Sequence, residues 1–167
     1  MWFQKTLAMA TNDYEFMTCW RVTGTASEVY DLVVDAPGYL RWWPQVYLEV
    51  TTITQPGEHG LGAVYDLHTR GKLPYTLRWR SRVTTTRYPA GFTIEATGDF
   101  LGRGIWSFAQ EADCVTLNFD WRLRAEKPLL RYLSFLFKPL FRANHRWAMA
   151  RGQEGLQKEV AARAIRK

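Results

Sequence analysis

The sequence predicts an α+β fold in which seven antiparallel strands pack an apolar face against one long C-terminal helix. Three observations carry this. Seven strand-like segments lie between Tyr14 and Arg124, most of them alternating apolar and polar side chains with a period of two. The turns between them are short, which requires antiparallel pairing with one buried face. Beyond Pro128 the apolar spacing changes to steps of three and four, the stripe of a helix that packs on one side.

The first strand is read over Tyr14–Val22, where Tyr14, Phe16, Thr18, Trp20 and Val22 point one way and Glu15, Cys19 and Arg21 the other. Gly24 ends it. Thr25-Ala26-Ser27-Glu28 has the form of a capping box, so a helix starts there with Val29, Leu32 and Val33 on one face. Asp35-Ala36-Pro37-Gly38 stops that helix, and a second short one runs to Trp43, before Pro44.

Strand and turn then follow without interruption. Val46–Ile53 leads into the loop 55–60, and Ala63–Thr69 places Tyr65 and Leu67 opposite Asp66 and His68. After the Gly71-Lys72 turn, Tyr75, Leu77, Trp79, Ser81 and Val83 share one face, and Thr76, Arg78, Arg80 and Arg82 the other. Tyr88-Pro89-Ala90-Gly91 turns into Phe92–Ala96. Gly98 to Gly104 reads as a glycine-rich connection, followed by Ile105–Ala109 with Trp106 and Phe108 in phase. The last strand, Val115–Arg124, sets Val115, Leu117, Phe119, Trp121 and Leu123 against Thr116, Asn118, Asp120, Arg122 and Arg124. Leu129–Phe137 is apolar almost all round. Pro139 is either the first turn of the main helix or a kink in it. Phe141, His145, Met149, Gly152 and Leu156 then form one stripe, with Lys138, Arg142 and Arg146 as a parallel basic row.

No linker, charge block or repeat divides residues 1–167, so one domain is expected, with its core at about 14–160. Twenty-five aromatic side chains (eight Trp, eight Tyr, nine Phe) are a heavy load for this length, enough to fill a core and also to line an apolar pocket. The two cysteines, Cys19 and Cys114, have neither zinc nor disulfide-framework spacing, so no metal and no cofactor is expected. The N-terminus lacks a signal-peptide pattern and no segment has membrane-span length, so a cytoplasmic protein is expected. A formal charge of +6 permits contact with anionic surfaces. Nucleic acid is excluded as a partner because the basic and aromatic side chains of the strands fall on opposite faces, whereas bases need both together.

The element order resembles the helix-grip fold of the START-like (SRPBCC) superfamily. The residues that carry the resemblance are Gly24-Thr25-Ala26-Ser27-Glu28-Val29-Tyr30 with Asp35 and Tyr39-Leu40-Arg41-Trp42-Trp43-Pro44, and later Trp121-Arg122-Leu123-Arg124 with Asn144-His145, Met149, Gly152 and Leu156. The second group is similar to the end of the polyketide cyclase/dehydrase-like branch. The resemblance spans about 14–160 and implies a curved seven-stranded sheet wrapped around the long helix, with a cavity between them. Its members include lipid carriers, hormone receptors and cyclases, so it implies the fold and leaves the activity open.

No phosphate loop and no nucleophile elbow is present. The expected lining of the cavity is Trp43, Tyr65, Tyr75, Leu77, Trp79 and Phe92, continued by Ile94, Trp106, Phe108, Phe141, His145 and Met149. Trp121 is read as packing on the long helix. The outward arginines are expected to pair across strands with acids such as Asp120. Of three histidines, His145 alone shares the apolar stripe. It is either a satisfied core residue or a polar group able to orient or protonate a ligand carbonyl. His145, and after it Tyr75, are therefore the catalytic candidates, with Ser81 and Thr18 as further inward polar positions.

Two functions stay open: binding or transfer of a small hydrophobic ligand (lipid, isoprenoid or polyketide-like), and cyclase/dehydratase chemistry on a polyketide-like substrate. A pure interaction module without a cavity ranks behind both. Leu129–Phe137 carries seven apolar side chains in nine residues, more than one stripe can bury. A partner subunit in a homodimer, transient contact with a membrane surface beside the basic row, or burial under the loop of the two short helices would cover the excess.

Overall fold

The computed structural model describes residues 13–126 and 128–165, the stretch 128–137 by its backbone only. Strand β1 (Asp13–Thr23) is followed by helix α1 (Ala26–Val34), a 3₁₀ turn over Ala36–Gly38 and the single-turn helix α2 (Tyr39–Trp42). Six strands come next, β2 (Tyr47–Thr54), β3 (Val64–Arg70), β4 (Thr76–Arg87), β5 (Gly91–Gly98), β6 (Phe100–Glu111) and β7 (Cys114–Ala125), and then helix α3 (Pro128–Ile165). They form one antiparallel sheet in the order β1-β7-β6-β5-β4-β3-β2. Hairpins join the strands from β2 to β7. The crossover through α1 and α2 places β1 beside β7, leaving β1 and β2 as edges.

Local chemistry explains the helix starts. The Thr25 hydroxyl accepts from the Glu28 backbone N–H at 3.3 Å, and the Thr25 N–H donates back to the Glu28 carboxylate at 3.4 Å, so two otherwise orphaned donors are satisfied at the entry to α1. Strand parity sets the faces as expected: along β1, Tyr14, Trp20 and Val22 are buried while Glu15, Cys19 and Arg21 are exposed.

The long helix docks because two positions carry no side chain. A Cβ on Gly152 would lie 2.5 Å from the Trp43 ring and 2.7 Å from that of Trp20, and one on Gly155 would enter the Trp42 carbonyl. The Trp43 indole then donates to the Ala148 carbonyl at 2.9 Å. Beyond these contacts Arg41 pairs with Glu159 at 2.8 Å.

One expectation is corrected and two are narrowed. Gly102 and Gly104 do not connect strands; they lie inside the continuous 12-residue β6. The chain reverses instead at Gly98-Asp99, Gly98 having φ +124°. Gly104 is glycine because a Cβ there would sit 2.7 Å from Phe119 and 2.8 Å from Trp121, whose rings cross the strand. Pro139 is inside α3, well past its first turn. Asp120 pairs with Arg122 of its own strand at 3.1 Å, while Arg80 forms a two-bond pair with Asp66 at 2.6 and 2.8 Å, and Arg78 approaches Glu49 at 3.7 Å.

The interior has a solid end and a hollow one. Val22, Val29, Tyr30, Leu32, Val115, Leu117 and Leu156 are fully buried where α1 and α3 close over the ends of β1 and β7. Toward the other end the helix and the sheet diverge.

Candidate functional site

Between the inner face of the sheet and α3 lies a cavity of about 210 Å³. Strands β3 to β7 supply most of the wall, α1 and α2 close one end, and Tyr14, Phe141 and Tyr75 stand at the other. Eleven of the twelve residues expected from sequence line it: Trp43, Tyr65, Tyr75, Leu77, Trp79, Phe92, Ile94, Trp106, Phe141, His145 and Met149. Phe108 does not. It is in the right phase but lies too far along β6, in the solid end, with its ring 5.5 Å from that of Tyr30. Trp121 lines the cavity as well, packed on Trp79 at 5.9 Å, Phe100 at 5.7 Å and Phe119 at 5.4 Å.

The wall has two characters. Strands β5, β6 and β7 contribute carbon almost throughout, from Phe92, Ile94, Phe100, Phe119 and Trp121. Strands β2 to β4 and α2 add hydroxyls. The Thr69 hydroxyl donates to the Leu77 carbonyl at 3.4 Å and accepts from the Trp79 indole at 3.2 Å. Tyr39 donates to the Val33 carbonyl. By contrast the hydroxyls of Tyr47, Tyr65, Tyr75 and Ser81 find no partner among the described residues. Tyr65 and Ser81 are register neighbours on β3 and β4, both buried residues of the cavity wall. The sequence singled out Ser81 and Tyr75 as polar groups but passed over Tyr39, Tyr47 and Thr69, whose inward direction depends on the α2–β2 corner and the end of β3.

Burial governs the acid–base character. It raises the phenols of Tyr47 and Tyr65, the latter with help from the Asp35 carboxylate, and with Tyr14 nearby it pushes Tyr75 up to about 12. His145 is stacked on Phe16, ring centroids 4.1 Å apart, and its Nε2 lies 3.3 Å from the Thr18 hydroxyl. Burial lowers its imidazole to about 4, so it is neutral at pH 7. Both readings of His145 thus meet in one place: it has a protein partner and it also lines the cavity.

Among the described residues that line the cavity one is charged, Arg70 at the end of β3. Its backbone N–H donates to the Val46 carbonyl at 2.9 Å and its Nε to the Gln45 carbonyl at 3.2 Å, which holds the guanidinium at the α2–β2 corner. Nearby, Lys72 N–H donates to Asn144 Oδ1 at 2.7 Å, tying the β3–β4 turn to α3. The turn needs Gly71, since a Cβ there would enter the Asn144 amide. Among the described residues no three His, Cys, Asp or Glu side chains gather as metal ligands, and no helix is long and apolar enough to cross a membrane. The side chains of Leu129–Phe137, expected at a membrane or partner surface, lie outside the described residues.

Residues 22–149, more than half of the chain, match the family described as polyketide cyclase/dehydrase and lipid transport. No curated protein matches the sequence. Among solved structures, a Thermus thermophilus protein superposes with a TM-score of 0.75 at 16% identity, covering 89% of this chain and 98% of its own. An aromatase/cyclase from Streptomyces sp. R1128 gives 0.70 at 15% identity over 91% and 96%. Norcoclaurine synthase from Thalictrum flavum, in complex with dopamine and hydroxybenzaldehyde, gives 0.62 at 14% over 91% and 88%. At these identities the likeness is one of fold, the helix-grip arrangement of a curved sheet around a long helix.

Proposed function

The chain belongs to the polyketide cyclase/dehydrase and lipid transport family, and from that premise we propose that it binds or carries a compact hydrophobic small molecule in its internal cavity. The observation behind this is the cavity itself, about 210 Å³ with a largely apolar wall and four hydroxyls lacking a protein partner among the described residues. An apolar interior cavity of about 150 Å³ is large enough for benzene. The volume here therefore suits a molecule of one or two rings better than an extended acyl chain. Apolar walls supply the affinity, and the hydroxyls of Tyr47, Tyr65, Tyr75 and Ser81 favour a ligand that carries oxygen.

Cyclase/dehydratase chemistry is the second reading, supported by Tyr75 and His145 lining one cavity. Closing a ring by aldol addition needs a base that removes a carbon-bound proton and an acid at the accepting carbonyl. A phenol near 12 serves as the acid. An imidazole near 4, already bonded to Thr18, is a poor base at neutral pH. The groups present therefore favour binding over turnover.

Four tryptophans of the wall, Trp43, Trp79, Trp106 and Trp121, report occupancy directly. Titration with naphthalene and with one- and two-ring ketones is expected to give saturable quenching, and native mass spectrometry a 1:1 species. Absence of both for every probe would leave the aromatic interior as packing alone. Delivery from an anionic membrane surface is part of the same proposal. Lys138, Arg142 and Arg146 form a basic row on α3, and Leu140 is exposed on the same helix about half a turn away from it.

A further inference from the structure

We infer that the ligand is an acid: a compact apolar body that fills the cavity, ending in a carboxylate held at the end of β3 by Arg70 and Asn144. The inference rests on the binding reading above and adds the charge and the end of the ligand. Among the described residues that line the cavity, Arg70 is charged and none is a carboxylate. On the outer face of the sheet Arg78, Arg80, Arg122 and Arg124 each have an acid within 4 Å. Arg70 has none among the described residues, although it is held in place by its Nε bond to the Gln45 carbonyl. That bond fixes the plane of the fork and leaves its terminal nitrogens as donors.

Asn144 supplies the second donor. Its Oδ1 accepts from the Lys72 N–H, which assigns the orientation of the amide and leaves the Nδ2 hydrogens unspent among the described residues. The side chain lines the same cavity and is clasped by Gly71, the residue after Arg70. Lys72 on the same turn carries no acid partner among the described residues. A planar carboxylate matches a guanidinium fork in two parallel bonds, and an amide N–H adds a third. A neutral ester or a hydrocarbon leaves these donors to water.

Four probes of one shape test this by tryptophan quenching: naphthalene, methyl 2-naphthoate, 2-naphthoate and 2-naphthyl phosphate. The wild-type chain is expected to bind 2-naphthoate about tenfold more tightly than its methyl ester, the factor of one charge-assisted bond at a partly exposed site. Added salt should shrink that factor. Arg70→Met is expected to equalise acid and ester, and Arg70→Lys to keep part of the preference, with naphthalene titrated against each variant to report any change in the cavity itself. Asn144→Leu should lower acid affinity severalfold, its Tm being measured alongside because the turn clasp is lost. Preference for the phosphate over the carboxylate would move the head group to phosphate and overturn the assignment as a carboxylate. Equal binding of acid and ester by wild type, or an acid preference that survives Arg70→Met, would overturn the anion site while the cavity reading stood. If none of the four binds, the cavity reading falls and takes this inference with it.

Discussion

His145→Phe separates the energetics of the cavity histidine from those of its ring. In the native chain the imidazole stacks on Phe16 at 4.1 Å and has its Nε2 3.3 Å from the Thr18 hydroxyl. Burial lowers its proton affinity from an ordinary 6.5 to about 4. The unfolded chain therefore takes up a proton between these values that the folded chain refuses, and stability must fall as the pH drops through that window. Each unit is worth about 1.4 kcal/mol, so integrating the two titrations gives a loss of about 2 kcal/mol between pH 7 and pH 5. Paired carboxylates do not imitate this. Asp66 and Glu159, lowered by their arginine partners, release their contribution only below the ordinary carboxylate range.

Phenylalanine keeps the stacked ring and removes both nitrogens. At pH 7 the variant loses one bond to a partly buried hydroxyl, about 1 kcal/mol, and regains some of it because no polar ring has to be desolvated. At pH 5 it should match or exceed the wild type. Urea unfolding followed by tryptophan fluorescence at half-unit steps from pH 7.5 to 4.5 measures both curves. Parallel curves for wild type and variant would refute the reasoning, since they would mean that His145 titrates normally and is open to water.

The remaining expectations concern packing, the cavity hydroxyls and the surface. Gly152→Ala gains about 1 kcal/mol of helix propensity but drives a methyl group toward the Trp43 and Trp20 rings, so a net loss of about 1–3 kcal/mol is expected in thermal melts. Tyr65→Phe and Ser81→Ala remove hydroxyls that no described residue satisfies, so stability should stay within about 0.5 kcal/mol while affinity for ketones falls relative to hydrocarbons. Sedimentation with phosphatidylserine vesicles should retain the wild-type chain and release Arg142→Glu/Arg146→Glu; a wild type indifferent to such vesicles removes membrane delivery from the proposal.

Parity and local capping were fully readable from the residues. Tyr14, Trp20, Leu67, Trp79 and Trp106 had to face inward because alternation leaves a strand no other way to bury them, and Thr25 with Glu28 announced the start of α1 through bonds made within four residues. The stripe from Phe141 to Leu156 likewise set which side of α3 meets the sheet. Position along a strand was not readable, because parity repeats every second residue and carries no depth. Phe108 has the phase of Trp106, yet α1 packs over the sheet at its level and turns it from wall into core. Gly104 looked like a loop residue because the rings of Phe119 and Trp121, which exclude a Cβ there, arrive from another strand. Arg70 stood in the outward phase of β3, and only the approach of the α2–β2 corner and of Asn144 makes it part of the cavity lining. The residues thus determined a sheet, a helix and an aromatic interior between them. Where that interior is hollow, and which polar groups meet the hollow, was decided by contacts between segments tens of residues apart.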